Sequence, residues 1–297
     1  MRAGSERILV NGMERKLDHQ VLVSGAVVYV PLSFARNNLG PMLGVRPAVV
    51  PVERVPAAPA PKRFTIKTIV LDTGHGGKDV GAMGKSRGTR EKDTALTLSK
   101  KIKAILENAG IKVILTRSDD TFISLPKRVD ITNSSGADLF VSVHINASRS
   151  KLLRGFECYY LSLATDDNAR ALEAFEDSSL KLGDTASLEH SQQLDKTLWD
   201  MTLTENRMES GELASYICES VEESLLIKNR GVRTARFYVL KHSRIPAVLV
   251  EGGYISNRYE ELKLRDPKFI DRLAEAVARG ILRYKERYEK TEGFTDV

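Results

Sequence analysis

From residue 65 onward, short apolar runs typical of buried strands alternate with segments whose apolar residues recur at helical spacing. The last helical segment begins with Asp266 and Pro267, an N-cap followed by proline in the first turn. Such alternation predicts an α/β fold, in which helices cover both faces of one mostly parallel six-stranded sheet. The six predicted strands are residues 66–71, 112–115, 137–143, 156–161, 237–240 and 247–250.

A smaller β-rich segment precedes the sheet. Asn11-Gly12 between apolar runs is a strong hairpin signal. This segment resembles a truncated N-terminal-like domain of copper amine oxidases, on the evidence of Val10-Asn-Gly12 and Val30-Pro-Leu32. Four of the ten prolines then fall within residues 49–62, which indicates an extended linker. We therefore predict a β module over 1–46, a linker over 47–63, a large domain over 64–290 with an insertion at 163–207, and a tail over 291–297.

Composition excludes several classes of protein. Lys and Arg outnumber Asp and Glu by 45 to 39, and because this excess of +6 is spread along the chain we predict no nucleic-acid partner. No run approaches 18 uninterrupted apolar residues, so we predict no membrane span. Two cysteines cannot form a structural zinc cluster. We expect Cys158 and Cys218 to be buried free thiols, with a disulfide as the alternative. Any metal must depend mainly on His, Asp or Glu.

Two of the five histidines directly follow predicted strands. His75 comes after the strand at 66–71 and His144 after the strand at 137–143, at the sheet edge where α/β proteins bind ligands. Glu91 begins a predicted helix after a glycine-rich loop that can fold back on itself. Two imidazoles and one carboxylate form the ligand set of a catalytic zinc ion. Each residue alone has an ordinary explanation, since an acidic residue at a helix N-terminus is favoured anyway.

A further carboxylate, Glu251, ends the apolar strand at 247–250. A carboxylate near a metal but not bound to it can take a proton from water and return it to a leaving nitrogen. The alternative is a capping or ion-paired Glu. The glycine-rich loop also suggests phosphate binding, but neither the P-loop pattern nor the dinucleotide fingerprint is present.

Several ordered sequence blocks together resemble one family. The chain over roughly 65–288 is similar to the zinc-dependent N-acetylmuramoyl-L-alanine amidases, the type 3 cell-wall amidases. The resemblance implies that His75, Glu91 and His144 bind zinc and that Glu251 is the catalytic acid/base. The sequence departs from the family at Thr73, where proline is usual, and at Gly252-Gly253, where bulkier residues are common. The matching blocks are Asp72-Thr-Gly-His-Gly-Gly-Lys-Asp-Val-Gly-Ala82, Glu91-Lys92, Leu115-Thr-Arg117, Ser142-Val-His-Ile-Asn-Ala147, Pro246-Ala-Val-Leu-Val-Glu251 and Tyr254-Ile-Ser-Asn257.

The resemblance also implies a function. It predicts hydrolysis of the amide bond between N-acetylmuramic acid and L-alanine in peptidoglycan, with one Zn²⁺ per chain, during wall remodelling or cell separation. Asn146 and Arg117 are its implied substrate contacts. The site of action would be the periplasm or cell surface, although the first twelve residues lack a signal-peptide pattern.

Two other functions compete with this one. The first is a catalytically silent module that binds peptidoglycan or an activator protein, which we would expect to have lost at least one of the four residues. The second is a zinc peptidase of the carboxypeptidase type, which would show a His-x-x-Glu ligand pair that this sequence lacks.

The insertion at 163–207 resembles that of division-associated family members, in which a helix covers the active site until an activator protein displaces it. The predicted helix at 169–182 offers Glu173 and Glu176. Glu176 falls about where the family's blocking Glu lies, so the resemblance predicts that it is a regulatory zinc contact. The alternative is a solvent-facing Glu on an amphipathic helix.

Overall fold

The computed structural model describes residues 7–10, 13–17, 22–24, 27–30, 34, 64–85, 88–183 and 196–292. The chain forms two compact units, residues 1–63 and 64–297. In the first unit, β1 (Arg7–Val10) pairs antiparallel with β2 (Met13–Lys16), and β3 (Leu22–Ser24) pairs antiparallel with β4 (Val27–Tyr29). The predicted linker at 47–63 lies outside the described residues. The predicted domain boundaries and the copper amine oxidase resemblance stay predictions.

A six-stranded sheet organises the second unit. In chain order its strands are β5 (Thr68–Thr73), β6 (Lys112–Leu115), β7 (Leu139–Asn146), β8 (Phe156–Leu161), β9 (Asn229–Ala235) and β10 (Ala247–Tyr254). Across the sheet they follow the order β6-β5-β7-β10-β8-β9. The β10–β8 pair is antiparallel and the other four pairs are parallel. The prediction of a mostly parallel six-stranded α/β sheet is therefore confirmed.

Helices cover both faces of this sheet. In chain order they are α1 (Glu91–Asn108), α2 (Leu125–Ser134), α3 (Asp167–Asp177, continued by a 3-10 helix at Ser178–Leu182), α4 (Lys196–Ser224), α5 (Tyr238–Lys241), α6 (Arg258–Leu264) and α7 (Pro267–Lys290). One core lies between the sheet and helices α1, α4 and α7, and includes Val141 and Val250. The other includes Phe140 and Leu249, and packs against α3 and α5. Since neighbouring residues of a strand serve opposite cores, the central strands carry apolar residues on both faces over most of their length.

One predicted strand is wrong. Residues 237–240 overlap the helical turn α5, and the sixth strand is β9. β9 lies at the edge of the sheet, and six of its seven residues are only half-buried. Its sequence, Asn-Arg-Gly-Val-Arg-Thr-Ala, accordingly lacks the apolar run from which the other strands were predicted.

No helix among the described residues has the length and apolar character needed to cross a lipid bilayer. Cys158 on β8 and Cys218 on α4 are both buried, and neither forms a disulfide.

Candidate active site

At the carboxyl edge of the sheet, the core that contains Phe140 and Leu249 ends and polar side chains follow. β7 and β10 pair with His144 opposite Glu251. Paired residues of neighbouring strands project from the same face, so these two side chains lie side by side on the face that carries Phe140 and Leu249.

Four buried side chains converge at this edge, those of His75, Glu91, His144 and Glu176, and one ligand atom from each lies within 4.8 Å of all the others. His75 Nε2 lies 3.1 Å from Glu91 Oε1 and 3.2 Å from Glu176 Oε2. His144 Nδ1 lies 3.1 Å from each of the same two oxygens. Ligands of a tetrahedral zinc ion lie roughly 3.3 Å apart, given metal–ligand bonds of about 2.0–2.1 Å. We call these four residues the tetrad; their spacing fits a bound metal ion.

The orientation of His75 favours metal binding. The residue lies in the loop after β5 with a positive φ of 56°. Its Nδ1 is 3.0 Å from Asp79 Oδ2, which leaves Nε2 facing the rest of the tetrad. Nε2 is buried and, although two carboxylates are near, it makes no hydrogen bond with a described residue. A histidine that binds a metal through one ring nitrogen usually donates a hydrogen bond from the other to a carboxylate, and His75 has this arrangement.

Glu91 is held at the start of α1 by backbone groups. Its Oε2 accepts a hydrogen bond from the N–H of Ala82 at 2.8 Å, and its Oε1 accepts one from the N–H of Ile145 at 3.0 Å. These bonds tie the glycine-rich loop and β7 to one carboxylate, so the protein itself fixes the orientation of Glu91.

Two glycines of the loop lie where any side chain would collide with the tetrad. A Cβ at Gly74 would stand 2.6 Å from the ring of His144. A Cβ at Gly81 would stand 2.6 Å from His75 Cδ2 and 2.7 Å from Glu91 Oε2, and Gly81 also has a φ of 67°. These contacts are too short for any other residue, so the glycines make room for the side chains of the tetrad.

Behind the loop lies a buried network centred on Asp72. Its carboxylate accepts hydrogen bonds from Thr116, Ser142 and Arg128, at 2.7–2.8 Å. Arg128 also donates to the carbonyl oxygen of His75 at 2.7 Å. Burial raises the pKa of Asp72, but the charge and hydrogen bond of Arg128 outweigh it and lower that pKa overall. The network fixes the backbone that carries His75.

The structure gives Arg117 a role different from the predicted substrate contact. Its side chain is 3% exposed, and its guanidinium donates to the carbonyl oxygens of Thr73, Gly74, Lys92 and Asp119. These bonds engage the guanidinium within the protein, so Arg117 supports the loop instead of facing substrate. Asn146 lies two residues after His144 in β7 and is buried; its contact with substrate stays a prediction.

Glu251 is completely buried beside the tetrad, and neither of its carboxylate oxygens has a hydrogen-bond partner among the described residues. Burial and the negative charges of Glu176, Glu91 and Glu157 raise its pKa well above the ordinary value. The carboxylate of Glu157, opposite it on β8, is by contrast fully engaged by Tyr159, Tyr254 and Arg230.

Electrostatics make the tetrad attract positive charge. Burial lowers the pKa of His144, but the charge of Glu176 and hydrogen bonds to Glu176 and Glu91 raise it to about 9. Burial raises the pKa of Glu91, yet the nearby imidazoles lower it overall. The two carboxylates therefore stay ionised, and their negative charge favours a proton on each imidazole. A divalent cation bound to the same four side chains would displace these protons.

One member of the tetrad, Glu176, comes from the inserted segment. Glu176 is 6% exposed and lies near the end of α3. Glu173, the other candidate on this helix, faces elsewhere, because its carboxylate accepts a hydrogen bond from the N–H of Arg236. Three residues of the site, Asp79, Arg128 and Glu157, have no role that the sequence predicts, and only Asp79 lies within one of the family blocks.

A family model described as N-acetylmuramoyl-L-alanine amidase matches residues 69–283. The chain belongs to this amidase family. The family resemblance read from the sequence blocks is confirmed, and with it the enzyme class, a hydrolase acting on peptidoglycan. The identity of the metal and the roles of single residues stay predictions.

Individual amidases are similar over most of the chain. N-acetylmuramoyl-L-alanine amidase AmiA of Escherichia coli is 35% identical over 220 residues, which cover 73% of this chain and 76% of that protein. The structure of an N-acetylmuramoyl-L-alanine amidase from Clostridium difficile 630 superposes with a TM-score of 0.58 at 30% identity, covering 75% of this chain and 98% of that one. The CwlD amidase of Clostridioides difficile, solved in complex with the GerS lipoprotein, superposes with a TM-score of 0.57 at 28% identity. The match covers 74% of this chain and 99% of that one.

Proposed function

We propose that the tetrad binds Zn²⁺ and that this amidase cleaves the bond between N-acetylmuramic acid and L-alanine in peptidoglycan. The observation that carries the proposal is the convergence of four donor atoms within 4.8 Å beside a buried, unpaired carboxylate. Imidazole nitrogens and carboxylate oxygens suit zinc, and three of the donors would form a catalytic shell. Because its substrate is the wall polymer, the chain would act in the periplasm or at the cell surface, in wall remodelling or cell separation.

The proposed reaction assigns a role to each residue. His75, Glu91 and His144 would hold the zinc ion, which when bound polarises the scissile carbonyl and makes a water more acidic. Glu251 takes a proton from the attacking water as the new C–O bond forms. It then donates that proton to the nitrogen of L-alanine as the C–N bond breaks, leaving a lactyl carboxylate and a free amine. Glu251 is buried without a hydrogen-bond partner among the described residues, which leaves its carboxylate available to accept and return a proton.

Digestion of purified peptidoglycan tests this function. We expect mass spectrometry to show free stem peptides that begin at L-alanine, with zinc present, and to show their loss after chelation. A chain that lacks amidase activity but cosediments with the wall would instead be the silent binding module. Soluble fragments in which the amide bond is intact would contradict the proposed reaction.

We further propose that α3 inhibits the enzyme at rest. Glu176 supplies the fourth donor of the tetrad, so it closes a metal shell that catalysis needs open for substrate and water. Glu173 and Asp177 anchor the helix by accepting hydrogen bonds from the N–H groups of Arg236 and Tyr238. An activator protein that displaces the inserted segment would open the site. The complex of the related CwlD amidase with a lipoprotein supports a partner of this kind.

Glu176→Gln is expected to raise the rate of wall digestion about tenfold, which corresponds to releasing a site that is blocked in about 90% of molecules. The matched control is Glu173→Gln on the same helix, which keeps an acceptor for the N–H of Arg236 and should change the rate less than twofold. Rates would be compared at equal zinc content. An unchanged or lower rate for folded Glu176→Gln would contradict inhibition by α3.

A further inference from the structure

A second concave feature opens at the carboxyl edge of the sheet, with a volume of about 630 Å³. Exposed Leu152 and Tyr259 contribute to its lining, and no Asp or Glu of the described chain does. None of its lining residues belongs to the tetrad. We call it the basic cleft, after the six cationic side chains that line it: Lys85, Lys151, Arg154, Lys228, Arg230 and Arg258.

The charges of the basic cleft are largely unneutralised. Arg230 makes an ion pair with Glu157. The other five cationic side chains form no hydrogen bond or ion pair with any residue that the structure describes. Five like charges around one concavity repel each other and focus a positive potential there, so an anion bound between them would be stabilised.

Buried polar contacts fix the backbone that carries these cations. The carboxylate of Glu260, which is 6% exposed, accepts hydrogen bonds from the N–H groups of Gly155 at 2.8 Å and Tyr254 at 2.7 Å. Asn257 donates from Nδ2 to the carbonyl oxygen of Lys151 at 2.8 Å. The β7–β8 loop and the turn between β10 and α6 are therefore joined. The cleft is preorganised, which lowers the entropy lost when a ligand binds.

The same two strands lead from the catalytic residues to the cleft. β7 carries His144 and continues into the loop with Lys151 and Arg154, and β10 carries Glu251 and continues into the turn before Arg258. β7 ends at Asn146, and the five residues from there to Lys151 in the cleft span at most about 18 Å, about the length of an extended peptide of five residues. A peptide attached at the scissile amide is long enough to extend toward the cleft.

We propose that the basic cleft binds the free carboxylates of the peptidoglycan stem peptide and so selects which stem peptides the enzyme cleaves. The inference rests on the proposed function for its substrate. Stem peptides carry carboxylates on their acidic side chains and at their C-terminus, and Lys and Arg pair with such groups through charge-assisted hydrogen bonds. The concave shape favours a short anionic peptide over a flat membrane surface.

Binding of synthetic stem pentapeptides to the full chain tests the proposal. One peptide has free carboxylates, and a second has them converted to carboxamides. We expect the free form to bind at least about tenfold more tightly, which is about 1.4 kcal/mol at 25 °C. The triple variant Lys151→Ala, Arg154→Ala, Arg258→Ala should lose this preference. The matched control replaces three exposed basic residues outside the cleft, by Lys100→Ala, Lys127→Ala and Arg272→Ala, and should keep it.

The proposal would be overturned by equal affinity for the two peptides, by a preference that survives in the triple variant, or by equal loss in the control. Stronger binding to phosphatidylglycerol vesicles than to the peptide, lost in the same triple variant, would assign the cleft to a membrane surface and also overturn it. Binding does not require hydrolysis, so the two proposals fail separately. If the chain prefers the peptide with free carboxylates but does not digest the wall, only the amidase proposal is contradicted. If it digests the wall but shows no such preference, only the proposal for the basic cleft is contradicted.

Discussion

Glu251→Gln is expected to lower the rate of stem-peptide release by about 10²–10⁴-fold, the usual contribution of a general acid–base group. The substitution keeps the shape of the side chain but removes its ability to accept and return a proton. Neither oxygen of Glu251 has a hydrogen-bond partner among the described residues, so no bond within them is lost. We therefore expect the variant to fold and to bind zinc like the parent chain. Peptidoglycan digestion, metal analysis and thermal unfolding measure the three quantities.

The matched control is Glu157→Gln on the neighbouring strand. Glu157 is equally buried, but its carboxylate accepts hydrogen bonds from two tyrosines and an arginine. Its replacement should reduce stability, while the rate of the folded fraction changes less than tenfold. If Glu251→Gln kept more than a tenth of the parent rate at full zinc content, its role in proton transfer would be contradicted. A larger rate loss for Glu157→Gln would move the acid–base role to that residue.

The sheet could be predicted where both faces of a strand are covered. The amino-terminal parts of β7 and β10 are mostly apolar on both faces because each face of the sheet packs on helices, so they appear as apolar runs in the sequence. β9 could not be found this way, since an edge strand that is half-buried keeps polar residues. The run at 237–240 is apolar for another reason: Val239 and Leu240 belong to the core as parts of a helical turn.

The site could be predicted where a functional residue follows a strand or begins a helix. His75, Glu91, His144 and Glu251 all have such positions, and the structure brings the first three together with Glu251 beside them. Residues that act through distant contacts had no such signal. Arg128 reaches Asp72 across 56 positions. A buried structural arginine and a substrate-binding arginine look the same in sequence, and the sequence therefore did not show that Arg117 is buried and bonded to backbone carbonyls.

Arg128→Ala is expected to lower the free energy of unfolding by about 3–5 kcal/mol, the cost of leaving one partner of a buried ion pair alone. The side chains of Arg128 and Asp72 are 3% and 1% exposed and lie 2.7 Å apart. The substitution also removes the donors that bind the carbonyl oxygens of Thr73 and His75. Since those carbonyls belong to the loop that carries a proposed zinc ligand, zinc affinity should fall together with stability. Urea unfolding and zinc titration measure the two effects.

The pH dependence of the stability difference between parent and variant shows whether the lost ion pair or a simple loss of packing causes it. In the parent chain the pKa of Asp72 is lowered from 3.8, so its ionised form stabilises the fold above that value, and this contribution disappears as the pH falls through the lowered pKa. Without Arg128, burial is opposed chiefly by the Ser142 hydrogen bond and the charge of His144, so we expect the pKa of Asp72 to rise and the stability of the variant to fall most near neutral pH. The stability difference between parent and variant should therefore narrow below about pH 4. The double variant Asp72→Asn, Arg128→Met, which removes the buried charge as well, should recover part of the loss at pH 7. A difference that stayed constant with pH would show that Asp72 is not its source and would leave the lost carbonyl contacts as the cause.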